Sequence, residues 1–284
     1  MKRIFFQLPL LLLLAAVFLS CEDSVEKPAM ELLEEARKEY VAGNYNMARV
    51  IIDSLSLTHP KAYKTRRDAE LLRREVLLEE KKRDVVFYDE TLVSLMAQRD
   101  SLVQGLAYSK DSRYQDAGVY SASSQTMSLN PFNNFLRATV KENGDAYITS
   151  FYRGKRIAHK NVTVSSGDSF VSCSAPFLTR SYKERGVYNE RLDFKYGSDG
   201  GIMDFVAASG GPFKVKLDGG SGAVEYTLRH DDVLAISHVL ELAKVLKAIE
   251  ETKGMSEEAK RALDFLQASQ ERSKAAREKE AAEK

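Results

Sequence analysis

The chain has 284 residues, with 42 Lys and Arg against 41 Asp and Glu, so its formal net charge is +1. That balance excludes the strongly basic face carried by nucleic-acid binders. The length admits one large or two modest domains.

Residues 1–20 have the grammar of a signal peptide. Lys2 and Arg3 are positive, and Ile4 to Phe18 is apolar apart from Gln7 and Pro9. The run is short for a membrane span, which needs about 20 apolar residues. Phe18-Leu19-Ser20-Cys21 resembles the bacterial lipobox, with Ser20 as the small residue before the modified cysteine. The resemblance implies that Cys21 becomes the lipidated first residue of the mature protein. A plain cleaved signal and an uncleaved anchor are the alternatives. Each buried CH₂ contributes about 0.8 kcal/mol, so several acyl chains on one cysteine hold stably. The expected location is exported and lipid-anchored to the outer membrane, on a periplasmic or surface face. Without Lys2 and Arg3, 40 basic residues face 41 acidic ones.

Residues 21–28 read as a lipidated tether, acidic at first and ending at Pro28. Residues 29–60 read as a helical hairpin. Leu32, Ala36 and Tyr40 recur at helical steps, Gly43 breaks the run, and Ala48, Ile52 and Leu55 share the second helix face before Pro60. These positions resemble one tetratricopeptide repeat. A single repeat needs neighbours, so the hairpin must lean on another element.

Residues 61–104 lack Gly and Pro and read as one long coiled-coil-like helix. Leu71, Leu78, Val85 and Leu92 recur every seven residues. That narrow stripe calls for a partner: a second copy in a homodimer, another protein, or a helix of the same chain. Its interleaved charges read as a solvated face.

Residues 105–230 switch to a period of two, with turns every 8–12 residues. Asn143-Gly144 between alternating runs is a hairpin signal. Tyr114 to Ser121, Lys155 to His159 and Ile202 to Ala207 are among the expected strands. Asp231 and Asp232 then start a helix. Its apolar stripe, Val233, Ile236, Leu240, Ala243, Leu246 and Ile249, is widened by Leu234, Val239, Leu242 and Val245. Gly254 is expected to stop it and Ser256 to start another; together they occupy residues 231–268. Residues 269–284 are a charged tail, a frayed helix or disordered. The predicted fold class is α+β: an N-terminal helical hairpin and long helix, an antiparallel β-sandwich or open barrel, and closing C-terminal helices.

This order of elements resembles a group of uncharacterised bacterial lipoproteins. The stretches that carry it are Tyr147 to Tyr152 with Gly154, Lys155 and His159, then Asp204 to Ala207, then Tyr226 to Leu228. The resemblance implies architecture and location, and no activity.

Chemistry-bearing motifs are sparse. There is no HExxH, no CxxC and no Gly-x-Ser-x-Gly. No catalytic residue, metal ligand or cofactor site is assigned. With Cys21 lipidated, Cys173 stands alone and reads as a buried strand cysteine. His159 reads as an inward histidine with a satisfied hydrogen bond. Asp193, Asp199, Asp204 and Asp218 read as turn aspartates rather than Ca²⁺ ligands. An acid pair of Glu190 with Asp204 is the one hydrolase reading. Tyr147, Phe151, Phe194 and Tyr196 are core aromatics or a ligand platform.

The expected function is therefore a membrane-anchored envelope lipoprotein acting as a non-catalytic interaction or structural module. Its partners are the membrane, through lipid on Cys21, and a protein or second copy, through the long helix. The alternative is glycan or peptidoglycan binding through the β domain, and nucleic acid is not expected.

Overall fold

The computed structural model describes residues 25–125 and 134–282. Cys21 and the signal peptide lie outside them. Three helices come first: α1 over residues 25–41, α2 over Tyr45–Thr58 and α3 over Tyr63–Leu102. Eight strands follow: β1 (Leu106–Ser109), β2 (Val119–Ala122), β3 (Asn134–Lys141), β4 (Ala146–Gly154), β5 (His159–Ser166), β6 (Ser169–Cys173), β7 (Leu178–Glu184) and β8 (Val187–Lys195). The chain closes with α4 (Ile202–Ala208), β9 (Lys214–Gly219), β10 (Gly222–Thr227) and α5 (His230–Ala282). Two compact units result. The helical unit holds the described residues up to Asp89 and those from Met255 onward; the β unit is Glu90–Gly254.

In the helical unit, Ala36, Ala48, Ile52 and Leu55 are buried, with Ala29, Leu33 and Ile51. Gly43 takes the left-handed φ of +78° at the turn between α1 and α2, where other residues are strained. The hairpin leans on α3, whose Ala69, Leu72 and Val76 complete its core. Helix α1 already includes residue 25, so the expected tether to Pro28 is too long. The cause is Glu26, whose carboxylate accepts hydrogen bonds from the Lys64 and Thr65 amides and the Thr65 hydroxyl. These amides belong to the first turn of α3, where helix donors have no ladder partner. The Thr65 hydroxyl holds the Glu26 carboxyl below its ordinary range, against the cost of burial.

The α3 stripe also differs from the sevenfold pattern. Thr65, Ala69, Leu72, Val76 and Leu78 are the buried positions. Within the helical unit α3 has an intramolecular, antiparallel neighbour in α5. Asp89 accepts hydrogen bonds from Ser256 and Lys260, while Leu71, Leu77 and Leu78 share an apolar groove of about 530 Å³ with Phe265 and Leu266. Gly254 does not stop α5. The Ser256 hydroxyl bonds Asp89 instead of capping a new helix, and one glycine costs only about 1 kcal/mol in a helix. The expected charged tail is helical through Ala282.

The β unit contains two separate antiparallel sheets, as a sandwich requires. One has the order β1-β2-β3-β4-β8-β7, the other β10-β9-β5-β6. Alternation sorts the first sheet into two faces. Leu136, Ala138, Val140, Ile148, Leu192 and Phe194 face a core shared with Val162, Val164, Val215 and Leu217 of the second sheet and with Ile236, Val239 and Leu240 of α5. Leu234, expected on the buried stripe of α5, is exposed. Cys173 is free and buried at the end of β6.

The Asn143-Gly144 turn closes β3 and β4. Gly144 has a φ of +79°, and any Cβ there would press on the backbone of Ala243 and Lys247 in α5. Three strand assignments change. Ile202 to Ala207 is helical, because Ile202, Met203 and Val206 are the buried set and Asp199 accepts the Met203 amide. The first strands are Leu106–Ser109 paired with Val119–Ala122, rather than Tyr114 to Ser121. Residues 155–158 form a strap between β4 and β5, not a strand. Strand β7 was not expected: it is an edge strand with six exposed residues out of seven, so no apolar alternation marks it.

Candidate functional site: the strap and the basic end of the β unit

The four aromatics proposed as a platform do not share a surface. Phe194 is 1% exposed and pairs with Ile148, facing the core. Tyr147 and Phe151 alternate to the opposite face. There Tyr147 lies 5.3 Å from the Phe177 ring, and Phe151 stacks on Phe135 at 4.9 Å. Tyr196 packs partly against the core and hydrogen-bonds Asp204. Phe151 and Tyr147 share their face with a polar network. Asp193 accepts hydrogen bonds from Thr149 and from Arg191 Nε, and the Arg137 guanidinium lies 4.7 Å from the Phe135 ring. Burial and the nearby Arg191 charge lower the pKa of Arg137.

The aspartates read as turn residues disperse. Asp199 accepts the Met203 amide at the start of α4, Asp204 pairs with Lys244, and Asp218 pairs with Lys216. Among the described residues no group of three His, Cys, Asp or Glu could hold a metal ion. Glu190 and Asp204 have separate partners and do not form an acid pair.

Glu190 sits instead at the centre of a buried cluster. Its Oε1 accepts the Ile157 amide at 3.0 Å and the Ala158 amide at 2.9 Å; its Oε2 accepts the His159 amide at 2.8 Å and His159 Nδ1 at 3.1 Å. Three successive amides converging on one anion form a nest, filled here by the chain's own carboxylate. Ala158 holds a φ of +50°, a conformation costly for a residue with a side chain. Burial raises the Glu190 pKa, but the His159 and Ala158 amides and the His159 ring outweigh it and hold the carboxyl below its ordinary range. Burial pushes the His159 pKa down despite Glu190. A carboxylate facing a neutral imidazole fixes the tautomer: Nδ1–H donates to Glu190, and the Nε2 lone pair faces the Ser150 hydroxyl 3.5 Å away.

Serine, histidine and a carboxylate in this order are the residue types of a hydrolase triad. The geometry removes that chemistry. Ser150 is 0% exposed in the middle of β4, between Leu136 and Leu192, and its contact to His159 is long. A nucleophile needs room for an acyl group, and this one has a packed core around it. The cluster is a clamp on the strap.

The far side of the strap is held as well. The Gly220 amide donates to Ala158 and the Ser221 amide to Ile157, while Gly219 pairs with His159. Between the strap and β7 lies a cavity of about 160 Å³ that Arg156, Lys160, Thr179, Ser181 and Glu190 help to line. Arg156 and Lys183 both approach the Tyr188 ring, at 5.9 and 5.4 Å. Reading Lys155 to His159 as a strand hid this arrangement. The available signals were the break at Gly154 and the cluster of Lys155, Arg156 and Lys160 without an acid.

Comparison with protein-family models, with curated proteins and with solved structures finds no match for this chain.

Proposed function

We propose that this protein is an exported bacterial lipoprotein, held to a membrane of the cell envelope by acyl chains on Cys21, and that it works there by binding rather than by catalysis. Its address rests on Phe18-Leu19-Ser20-Cys21 after a basic and then apolar leader. The observation that supports the binding reading is the burial of Ser150, His159 and Glu190, whose triad-like grouping serves as a structural clamp. The helical unit supports a protein-contact role through its apolar groove between α3 and α5, where Phe265 is 72% exposed. Glycan stacking is not proposed, because Phe194 faces away from Tyr147 and Phe151.

A Cys21→Ser chain, expressed in a Gram-negative host, leaves the membrane fraction and keeps the circular dichroism spectrum of the parent. Metabolic labelling with a fatty-acid analogue marks the parent and not the variant. Persistence of the variant in membranes, or a parent that takes no label, contradicts the anchor.

A further inference from the structure

The chain is almost neutral, yet its unpaired cations concentrate at one end of the β unit. Elsewhere in that unit Lys195, Lys214, Lys216, Lys244 and Lys247 each have a carboxylate within 4.0 Å. Arg156, Lys160 and Lys183 have none among the described residues, and no exposed acid lines the cavity beside them. Glu190, the one carboxylate there, already accepts four hydrogen bonds. Its lone pairs are committed, so it does not compete for the cations.

Alternation separates the cavity's side chains from their neighbours. Thr179 pairs with Leu192 and Ser181 with Glu190, so both hydroxyls point to the face that carries the strap. Arg180 and Arg191 pair with each other and alternate toward the Phe151 face, although both also border the cavity. The cavity thus joins Arg156 of the strap and Lys160 of β5 with two hydroxyls from β7, and Arg180 and Arg191 add positive charge at its border. Its volume of about 160 Å³ is several times the roughly 30 Å³ share of one water. It is well below the roughly 300 Å³ at which sites begin to enclose a drug-sized ligand. A space of this size takes a charged group, not a whole molecule. Guanidinium and ammonium donors with hydroxyls suit a tetrahedral oxyanion, and the clamp keeps the strap in place whether or not one is bound.

We propose that this cavity binds a phosphoryl group, with Arg156 and Lys160 as charge partners and Thr179 and Ser181 as hydroxyl donors. The group belongs either to free phosphate or to the headgroup of an anionic lipid. The proposal does not depend on lipidation of Cys21.

The test titrates the full chain with inorganic phosphate at an ionic strength matched with chloride, following the backbone amide resonances. In parallel, the chain is sedimented with vesicles of phosphatidylglycerol in phosphatidylcholine, and with phosphatidylcholine alone. Arg156→Ala and Lys160→Ala are expected to weaken binding at least about tenfold each, the loss of a charged hydrogen bond. Lys244→Ala, an exposed cation of the same unit that pairs with Asp204 and does not line the cavity, leaves it unchanged. All three residues are exposed, so the variants melt with the parent. Phosphate shifts at residues 156–160 and 179–181 with this pattern assign the site to the free ion. Retention on phosphatidylglycerol vesicles alone, with the same pattern, assigns it to the headgroup. Binding of neither probe overturns the proposal. So does a Lys244→Ala loss equal to that of Arg156→Ala, which marks diffuse charge, or a chloride titration that reproduces the shifts.

Discussion

Glu190→Ala lowers the stability of the β unit by about 3–5 kcal/mol, read from thermal or urea melting by near-ultraviolet circular dichroism. The substitution strips the acceptor from three backbone amides and from His159 Nδ1, all in or beside the strap. Each unsatisfied buried donor costs about 1–3 kcal/mol, and water entering the gap recovers part of the sum. Glu190→Gln is milder. A carboxamide oxygen has two lone pairs, so at least two of the four donors still lose their partner. Acid produces the same loss in the parent. Both folded-state pKa values are depressed, so both groups favour folding in their deprotonated forms. The His159 contribution is complete above its ordinary value of 6.5 and fades as pH falls below it. The Glu190 contribution is complete above 4.5 and fades below that. Stability of the β unit therefore declines in two stages on acidification, and Glu190→Gln removes the lower stage. A parent whose stability is flat from pH 7 to pH 4 contradicts the assignment.

Gly219→Ala costs about 3 kcal/mol by the same measurement. A Cβ at this position would collide with the carbonyl groups of Ile157 and Ala158. These are backbone atoms, fixed on one side by Glu190 and on the other by the Gly220 and Ser221 amides, so no side chain can swing away. Overpacking against a flexible neighbour costs about 1–3 kcal/mol, and a clamped backbone puts this case at the upper end. Gly220→Ala, where a Cβ meets nothing within 4 Å, is the control and has little effect. Equal melting of the two variants contradicts a rigid strap.

Much of the architecture was legible because burial leaves a period. The buried faces of α1 and α2, the β3–β4 hairpin at Asn143-Gly144 and the apolar stripe of α5 all announce themselves this way. Elements with little burial stayed silent. Edge strand β7 exposes six of its seven residues, and the strap has no period at all. Gly254 misled because a helix stop was inferred from one weak helix former, while the deciding contact, Ser256 to Asp89, joins residues 167 apart in sequence. The site shows the same division. His159 was correctly read as inward and hydrogen-bonded, yet its partner Glu190 lies 31 residues away, across β6 and β7. Pairings at that separation are set by sheet order, which no local pattern encodes.

Native-state hydrogen exchange at the Ile157, Ala158 and His159 amides tests the clamp most directly. The expected result is protection comparable to the β4 ladder amides in the parent. In Glu190→Ala, protection at these three amides falls at least about tenfold further than at Ile148. Rapid exchange of the three amides in the parent, or an equal fall at Ile148, would show that Glu190 does not hold the strap.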